Sequence, residues 1–514
     1  MEFITHPWIV PNTIEKRDYQ DAVVRTACTG NTLCVMPTGT GKTSIAALVT
    51  AHRLQKDMNK KILFVAPTKP LVNQHKMTFE KVMKIGPSEL VVVTGSEKPE
   101  NRGRLYKSAD IVFATPQTIE NDLENHVLYL KDYSLLIVDE AHRSVGNYAY
   151  VVIAKKYIEQ SSDPLILALT ASPGGHKYKI DDVRKKLFIK NVEIRTRQDK
   201  DMEEYVQPLD QVWVEIKLTD DIKTLMILLE KCKSEKIQKL IDWRIINYPK
   251  INKVQILKLQ QELAKRKTGS SFMAMSVLAE IMKLDHAQIL IETQSVYSLK
   301  KYIDSLQEKV HETKATQRLL LDPTFLAVMR KVDEMYRNDI EHPKMVRLKE
   351  IVEEETSKGK RMLIFTQYRD TIEKILDILK TVPKASPIHF VGQAKRSENS
   401  ATSKGMSQKE QIQTINEFKL GFYNILVCTS IAEEGLDIAE TDEVIFYEPI
   451  PSEVRRIQRM GRTARTRPGK VTFLITIGTR DEAYYWAGHH REKKMTMILK
   501  DMQEKNITKT LGDF

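Results

Sequence analysis

The chain has 514 residues, of which 41% are hydrophobic and 29% charged, with 20 Gly and 19 Pro, so a disordered or fibrous protein is excluded. At about 150 residues per domain, this length predicts three domains. The net charge of +12 suits a polyanion partner without requiring one. We find neither a membrane-length apolar run nor a signal peptide, and expect a soluble, cytoplasmic protein.

Short apolar runs alternate with helix-length segments over the first 205 residues. Runs of this kind are typical of strands buried on both faces of a parallel sheet. The predicted strands are TLCVM 32–36, KILFVA 61–66, LVVVT 90–94, DIVFAT 110–115, LLIVD 135–139 and LILALT 165–170. The pattern returns after residue 345, in RMLIFT 361–366, IHFVG 388–392, NILVCT 424–429, EVIFYE 443–448 and VTFLIT 471–476. Both regions therefore predict α/β domains.

Long helical periods rich in Leu, Ile, Lys and Gln separate these two regions, from about Asp210 to about Glu341. They predict an all-α insertion between the α/β domains. The predicted domains are residues 1–208, 209–342 and 343–514. The polar residues 394–406 predict a mobile loop.

A glycine-rich turn, PTGTGKTS at 37–44, joins the first predicted strand to a helix. Such a turn offers backbone N–H groups and a positive helix end to phosphate, while its Lys reaches the β- and γ-phosphates and its Thr holds Mg²⁺. We assign these roles to Lys42 and Thr43. The general pattern GxxxxGK[ST] requires Gly at Met36, so only the shorter form is met. The predicted ATP-binding residues of this turn are Thr38, Gly39, Thr40, Gly41, Lys42, Thr43 and Ser44.

Two carboxylates end the predicted strand LLIVDEAH at 135–142. In open α/β sheets the ligand lies at this carboxyl edge. We expect Asp139 to hold Mg²⁺ and Glu140 to polarise the water that attacks the γ-phosphate. Either motif alone is weak, but together they predict a site for ATP hydrolysis.

The order of the motifs resembles the DEAH-type helicases and translocases of superfamily 2. The first α/β region contains, in order, RDYQ at 17–20, PTGTGKT, APTKPLVNQ at 66–74, VVTG at 92–95, TPQTI at 115–119, DEAH and LTAS at 169–172. The second α/β region contains LIFTQYRD at 363–370, HFVGQ at 389–393, ILVCTSIAEEGLDI at 425–438 and IQRMGRTARTRPG at 457–469. The resemblance implies two RecA-like motor domains, adenine binding by Gln20 with Arg17, and coupling of hydrolysis to motion by Thr170 and Ser172.

Three arginines of QRMGRTAR, Arg459, Arg462 and Arg465, are spaced at i, i+3 and i+6, which predicts one helical face of guanidinium groups. By resemblance, Arg462 and Arg465 are arginine fingers that reach the γ-phosphate across the cleft between the motor domains. The resemblance also places Gln458 beside them and Asp437 near the ribose.

By the same resemblance, short side chains and backbone N–H groups of both motor domains contact the phosphates of one nucleic-acid strand. Contacts of this kind hold the backbone without recognising sequence. The matching positions are Thr68, Lys69, Thr94, Gly95, Thr115, Pro116, Gln367, Gly392 and Thr429.

The insertion carries twelve Lys and Arg against five acids between Asp221 and Lys267. This surplus predicts a surface for a nucleic-acid backbone, although an exposed basic face that contacts only the motor domains remains the alternative. An insertion at this place, with EEGLDI and QRMGRTAR, resembles the Hef and Fanconi anaemia group M family.

This second resemblance implies ATP-driven remodelling of branched DNA, namely stalled forks and four-way junctions, by an archaeal, nucleoid-associated enzyme. It also implies an XPF-type nuclease beyond this chain and replication or repair clamps as partners. Two alternatives stay open: an RNA-duplex-stimulated ATPase of the Dicer and RIG-I type, and a scaffold without catalysis.

Overall fold

The computed structural model describes residues 2–266, 268–393, 405–433 and 438–512, the last seven as backbone only. The strands of these residues are β1 Thr32–Val35, β2 Lys61–Val65, β3 Leu90–Val93, β4 Ile111–Ala114, β5 Tyr133–Val138, β6 Ile166–Thr170, β7 Asn191–Ile194, β8 Leu209–Ile216, β9 Met362–Phe365, β10 Pro387–Phe390, β11 Ile425–Cys428, β12 Glu443–Phe446 and β13 Gly469–Thr476. Each of the eleven predicted runs overlaps one of these strands, so those predictions are confirmed.

The helices alternate with the strands except in the middle of the chain, where they follow one another. They are α1 Asp18–Thr29, α2 Lys42–Lys56, α3 Lys69–Val82, α4 Pro99–Ser108, α5 Pro116–Glu124, α6 Ala149–Gln160, α7 Lys177–Lys186, α8 Asp220–Asp242, α9 Lys253–Arg266, α10 Gly269–Thr293, α11 Val296–Glu308, α12 Lys314–Leu320, α13 Pro323–Arg337, α14 Pro343–Ser357, α15 Arg369–Leu379, α16 Gln408–Leu420, α17 Glu453–Met460 and α18 Arg480–Gly512. In the part of the chain that the structure describes, no helix combines the length and apolar character needed to cross a membrane.

The first motor domain is built on a parallel sheet with strand order β3-β4-β2-β5-β6-β1-β7. Apolar cores cover both of its faces. The central strands β2, β4, β5 and β6 are almost entirely buried, which explains why continuous apolar runs predicted them correctly.

The second motor domain has a parallel sheet with strand order β10-β11-β9-β12-β13-β8. Its edge strand β8 was assigned to the helical insertion from the sequence, and that assignment is wrong: residues 209–216 pair with β13 over eight positions. The run LDQVWVEI is interrupted by Asp210, Gln211 and Glu215, and only Ile216 of this strand is buried, so a search for continuous apolar runs misses it.

Helices α8 to α13 form the insertion, in agreement with the predicted all-α segment. The insertion has two separate apolar cores, one at its base around α11 and α13 and one at its far end around α9 and the start of α10. The long helices α8 and α10, with 23 and 25 residues, pass through both cores. Residues 394–404 of the predicted mobile loop lie outside the described residues.

Helix α18 connects the two motor domains physically. Near its start, Tyr485 is buried in the core of the second domain. Farther along, Met495, Leu499 and Met502 are buried in a core of the first domain. The fold class is therefore the predicted α/β one, with two RecA-like domains and a helical insertion.

Candidate functional site

The loop between β1 and α2 has the backbone of a phosphate-binding turn. Gly39 and Gly41 have φ values of +81° and +83°, which favour glycine. Gly41 directly precedes α2, so the loop leads into the positive end of a helix. Met36, at the position where the general pattern has glycine, is buried in the core behind the loop.

The Lys42 ammonium group lies across this loop. It donates hydrogen bonds to the carbonyl oxygens of Met36 at 3.0 Å and Pro37 at 3.2 Å. Burial lowers the pKa of Lys42 below its ordinary value, and the carboxylates of Glu140 and Asp139 oppose this effect. The predicted phosphate-binding lysine is thus held between the loop and the two carboxylates.

Asp139 follows β5 and accepts a hydrogen bond of 2.9 Å from His75 Nε2. Burial alone would raise the pKa of Asp139, but His75 and Lys42 bring it below its ordinary value, so the group is ionised at neutral pH. The other ring nitrogen of His75, Nδ1, lies 3.4 Å from Thr43 Oγ1. Thr43 and Asp139, the two residues predicted to hold Mg²⁺, are therefore linked through His75.

Sequence analysis missed His75, which stands directly after the quoted motif APTKPLVNQ. A signal was present, because Val72, His75 and Phe79 form the buried face of α3 at helical spacing. A polar residue on a buried face needs a partner. Here the partners come from α2 and from the end of β5.

Glu140 and the two predicted coupling residues are connected by His142. Glu140 has a left-handed backbone with φ of +50°, and its Oε2 atom lies 3.2 Å from His142 Nδ1. The same nitrogen is 3.3 Å from Thr170 Oγ1. Thr170 Oγ1 accepts from the Ser172 backbone N–H at 3.1 Å, and the Ser172 hydroxyl donates to the sulfur of Met495 on α18 at 3.0 Å.

Gln20 and Arg17 lie on the amino-terminal side of the phosphate loop. Gln20 Nε2 and the Tyr19 hydroxyl donate to the Thr40 carbonyl oxygen at 3.3 and 2.8 Å. Arg17 pairs with Glu15 at 2.9 Å and donates to the Tyr19 hydroxyl at 3.2 Å. The predicted adenine-binding residues are thus tied to the loop that follows them.

The two motor domains face each other across a cavity of about 280 Å³. The first domain contributes the phosphate loop, His75, Asp139 and Glu140, and the second contributes Glu433 and three predicted residues, Gln458, Arg462 and Arg465. The Thr38 hydroxyl donates to the Gly461 carbonyl oxygen at 3.3 Å across this boundary. The structure therefore brings both halves of the predicted ATP site together, while Asp437 lies outside the described residues.

The three arginines do not share a helical face, so that prediction is wrong. Helix α17 ends at Met460, and Arg462 and Arg465 stand on the following turn. Arg459 is fully buried, pairs with Glu433 at 2.8 Å, and stacks on the ring of Phe365 at 4.6 Å. Gly461 directly follows the helix end, and a side chain at this position would collide with Thr38.

Glu433 is the second site residue that sequence analysis missed. Its carboxylate accepts from Arg455 at 2.8 Å and from Arg459 at 2.8 Å. Its carbonyl oxygen accepts from Arg462 NH2 at 2.5 Å. One acidic residue thus holds three arginines of the motif, and the pairing depends on tertiary contacts that spacing alone does not reveal.

The predicted nucleic-acid contacts of the first domain follow three neighbouring strands, β3, β4 and β2. Thr68 and Thr115 precede α3 and α5 directly, with Lys69 and Pro116 as the first helical residues. Two further hydroxyl groups, which were not predicted from the sequence, lie beside these residues. Ser96 contacts Thr94 at 2.8 Å and Lys69 at 3.3 Å; Thr118 contacts Thr115 at 2.8 Å and lies close to Gly95.

In the second domain, Gln367, Gly392 and Thr429 line one cavity of about 500 Å³. They follow β9, β10 and β11, which are neighbours in the sheet. Tyr368 and Arg369 also line this cavity and were not predicted; Arg369 donates to the Gly392 carbonyl oxygen at 2.9 Å. Each motor domain thus presents its predicted contacts at the carboxyl edge of its sheet.

The basic surplus of the insertion is smaller on the surface than in the sequence. Lys236 is buried and pairs with Asp322 at 2.5 Å and Glu280 at 3.3 Å, while the partly buried Lys233 pairs with Glu230 at 2.9 Å. Lys267 is outside the described residues. The exposed members are Lys223, Lys231, Lys239, Arg244, Lys250, Lys253, Lys258, Lys265 and Arg266.

Three family models match the chain in the order of its domains. Residues 17–179 match the DEAD/DEAH box helicase model, residues 221–335 match a helical bundle of putative ATP-dependent RNA helicases, and residues 343–467 match the helicase conserved C-terminal domain. The crystal structure of the Pyrococcus furiosus Hef helicase domain is 37% identical with a TM-score of 0.71; the match covers 94% of this chain and all of that one.

Curated relatives match over nearly the whole chain. A putative ATP-dependent RNA helicase of Methanocaldococcus jannaschii, MJ1505, is 39% identical over 97% of the chain and 63% of its own length. The ATP-dependent DNA helicase fml1 of Schizosaccharomyces pombe is 33% identical over 93% of the chain and 59% of its own length. The chain thus spans less than two thirds of these relatives.

The chain has two RecA-like domains that face each other across a cleft, and the cleft contains a phosphate loop, a DEAH sequence and two arginines. These features define a superfamily 2 helicase motor, and the family models agree. Within that class, the identity to the Hef helicase domain over its full length identifies the subgroup. The chain belongs to the Hef and Fanconi anaemia group M family of DEAH-type helicases.

Proposed function

We propose that this chain is the motor of an ATP-driven DNA helicase or translocase that remodels branched DNA in repair and fork restart. The cavity between the motor domains carries this proposal, because Lys42, Glu140, Arg462 and Arg465 line it together. Four such groups, two from each domain, suit the transfer of a phosphoryl group, which depends on positioning and charge stabilisation.

We propose Mg²⁺ as the cofactor that accompanies ATP. Thr43 Oγ1 and the ionised Asp139 carboxylate are oxygen donors, which Mg²⁺ prefers, and both line the cavity. When bound, the ion would neutralise phosphate charge. In this proposal the residues of the chain do the rest: the loop and Lys42 bind the phosphates, and Glu140 orients the attacking water.

The arrangement also accounts for how hydrolysis drives motion. Arg462 and Arg465 belong to the second domain, so they reach a γ-phosphate held by the first domain only when the domains are closed. After hydrolysis this attraction weakens and the domains separate. We propose that the His142, Thr170 and Ser172 contacts pass the state of the γ-phosphate on to α18, which is packed on both domains.

We propose that one nucleic-acid strand lies along the carboxyl edges of both sheets. Hydrogen-bond donors suited to phosphate oxygens lie along both edges. They are hydroxyl groups, amides and the N–H groups of helix N-termini, at Thr68, Thr94 and Thr115 in the first domain and at Gln367 and Thr429 in the second. A change in the distance between the two sets would move the motor along the strand.

We assign branch recognition to the exposed basic residues of the insertion. Six of them, Arg244, Lys250, Lys253, Lys258, Lys265 and Arg266, lie in and around α9, next to the core at the far end of the insertion. Lysines and arginines at this position can bind a duplex arm through its phosphates while the motor domains hold another strand.

The test is a panel of ATPase and unwinding assays with matched forks, four-way junctions, linear duplex, single strands and double-stranded RNA. Activity that is highest with forks or junctions is the expected result. Two of the matched descriptions name RNA helicases, so double-stranded RNA is an essential arm. Highest activity with RNA would overturn the DNA assignment, and no turnover with any cofactor would overturn the motor itself.

We further propose that the motor works beside the nucleoid, with an XPF-type nuclease and a replication or repair clamp as partners. Relatives named DNA helicases support nucleic-acid association. Crosslinking in cells, followed by identification of bound DNA and proteins, would test these partners directly.

A further inference from the structure

The imidazole ring of His75 stands between two elements of the nucleotide site that come from distant parts of the chain. Thr43 is in the first turn of α2 and Asp139 follows β5, while His75 projects from α3. Its Nδ1 atom is 3.4 Å from Thr43 Oγ1, and its Nε2 atom is 2.9 Å from Asp139 Oδ2. His75 and Asp139 are both buried, so water does not readily replace these contacts.

With the His75 ring neutral, the chemistry of the three groups sets the direction of both hydrogen bonds. An ionised carboxylate only accepts, so His75 Nε2 must carry the proton. In the neutral ring Nδ1 then has a lone pair, which accepts the proton of the Thr43 hydroxyl. With its proton engaged there, the Thr43 oxygen keeps its lone pairs for a cation. This is the orientation that a hydroxyl ligand of a divalent ion requires.

We propose that His75 is a positioning residue of the nucleotide site, which fixes the Thr43 hydroxyl and the Asp139 carboxylate in the orientation that binds Mg²⁺ with the nucleotide. The inference rests on the proposed ATP-binding role of this cleft. It adds a residue from α3 that acts through both of the proposed ligands.

A purely structural role for His75 makes a different prediction. The ring also packs on Phe64 of β2, with 4.4 Å between the ring centroids. The substitution His75→Phe keeps an aromatic ring and removes both hydrogen bonds. The substitution His75→Gln removes the ring but keeps one donor and one acceptor, as in neutral histidine. The two variants therefore separate packing from hydrogen bonding.

The readout is equilibrium binding of a fluorescent ADP analogue to the full chain, measured once with Mg²⁺ and once with EDTA. The ratio of the dissociation constant in EDTA to the dissociation constant with Mg²⁺ gives the contribution of the cation to nucleotide binding. Outer-shell partners of metal ligands typically affect metal affinity by 10- to 100-fold. We expect His75→Phe to reduce this ratio by about tenfold with binding in EDTA unchanged, and His75→Gln to recover most of the loss.

A His75→Phe variant with the wild-type ratio would overturn the proposal, and so would a His75→Gln variant that loses as much as His75→Phe. Thermal unfolding of each variant identifies any loss of folded protein. Failure of the proposed function has a separate signature, because a wild-type chain that binds no nucleotide would invalidate the site rather than the role of His75.

Discussion

The Thr38 hydroxyl of the phosphate loop donates a 3.3 Å hydrogen bond to the carbonyl oxygen of Gly461, which belongs to the other motor domain. A Cβ atom on Gly461 would stand 1.8 Å from that hydroxyl oxygen and 2.8 Å from Thr38 Cβ. The closed arrangement of the domains therefore requires glycine at position 461. Arg462 follows immediately, so the same contact sets how far this arginine reaches toward the phosphate loop.

We predict that Gly461→Ala separates nucleotide binding from hydrolysis. The added methyl group keeps the domains apart, so the DNA-stimulated kcat should fall at least tenfold while ADP binding to the first domain is retained. Gly269→Ala is the matched control, because a Cβ atom there has no neighbour within 4 Å. Steady-state ATPase assays and ADP titrations provide the measurement; a wild-type kcat would show that hydrolysis does not need this contact.

A second prediction concerns the two residues with the most direct proposed roles in catalysis. Lys42→Ala removes the phosphate-binding ammonium group, and Glu140→Gln removes the group that orients water. Each should reduce ATP turnover at least a hundredfold. Fork binding without nucleotide, measured by fluorescence anisotropy, should stay within about threefold of wild type, since neither residue belongs to the proposed DNA contacts. Loss of fork binding in both variants would contradict the site assignment.

Burial explains which parts of the fold were predictable from the sequence. Interior strands such as β5 and β6 are buried on both faces and give continuous apolar runs. The two strands that were missed, β7 and β8, lie at the sheet edges, and both contain charged residues, including Glu193 and Glu215. Edge strands commonly carry such residues. Charged residues interrupt the apolar sequence, so β7 and β8 do not give the continuous apolar runs that predicted the other strands.

Within the candidate site, local motifs were predictable and contacts between distant elements were not. The strand, turn and helix order placed Lys42 and Thr43 correctly because these residues follow one another in the chain. His75 and Glu433 depend on partners from other elements, 64 residues away for the His75–Asp139 contact. Arg459 had the spacing of an exposed face, yet its burial under Phe365 and Phe446 is a tertiary effect that spacing cannot show.

We predict that Glu433→Gln destabilises the second motor domain. The substitution leaves Arg459, which is fully buried, without its countercharge. Breaking a buried pair in this way costs about 3–5 kcal/mol. Urea unfolding should show an earlier transition for the second domain. Glu350→Gln, which breaks an exposed pair with Arg347, is the control and should leave that transition unchanged; equal effects of both variants would contradict this prediction.

The insertion offers a prediction about salt dependence. Lys253→Gln combined with Lys258→Gln removes two exposed charges from α9. If both contact phosphates of a duplex arm, the slope of log affinity against log salt should decrease by about two, and fork binding should weaken most at low salt. The control is Lys155→Gln with Lys156→Gln on α6, which removes the same charge from exposed positions. Indistinguishable slopes for the two double variants would assign branch binding elsewhere.

The last prediction uses the buried carboxyl group of Glu448, which joins the second sheet to the insertion. Its Oε1 accepts from the Gln367 backbone N–H at 2.5 Å and its Oε2 from the side chain of Gln294 at 3.3 Å. Burial raises the pKa of Glu448 to about 7, against the opposing charges of Arg459 and Lys344. The ordinary value for Glu is 4.5, so on raising the pH the unfolded chain loses this proton before the folded chain does.

The contribution of Glu448 to stability is therefore greatest below about pH 4.5, declines between pH 4.5 and 7, and is constant above pH 7. Glu448→Gln cannot ionise, so its free energy of unfolding relative to wild type should rise by about 3 kcal/mol across that window. Urea unfolding midpoints at intervals from pH 4.5 to 8 measure the difference, with Glu350→Gln as the control that follows wild type. Parallel curves for Glu448→Gln and wild type would show that Glu448 ionises equally in both states, because only a shifted pKa makes the difference depend on pH.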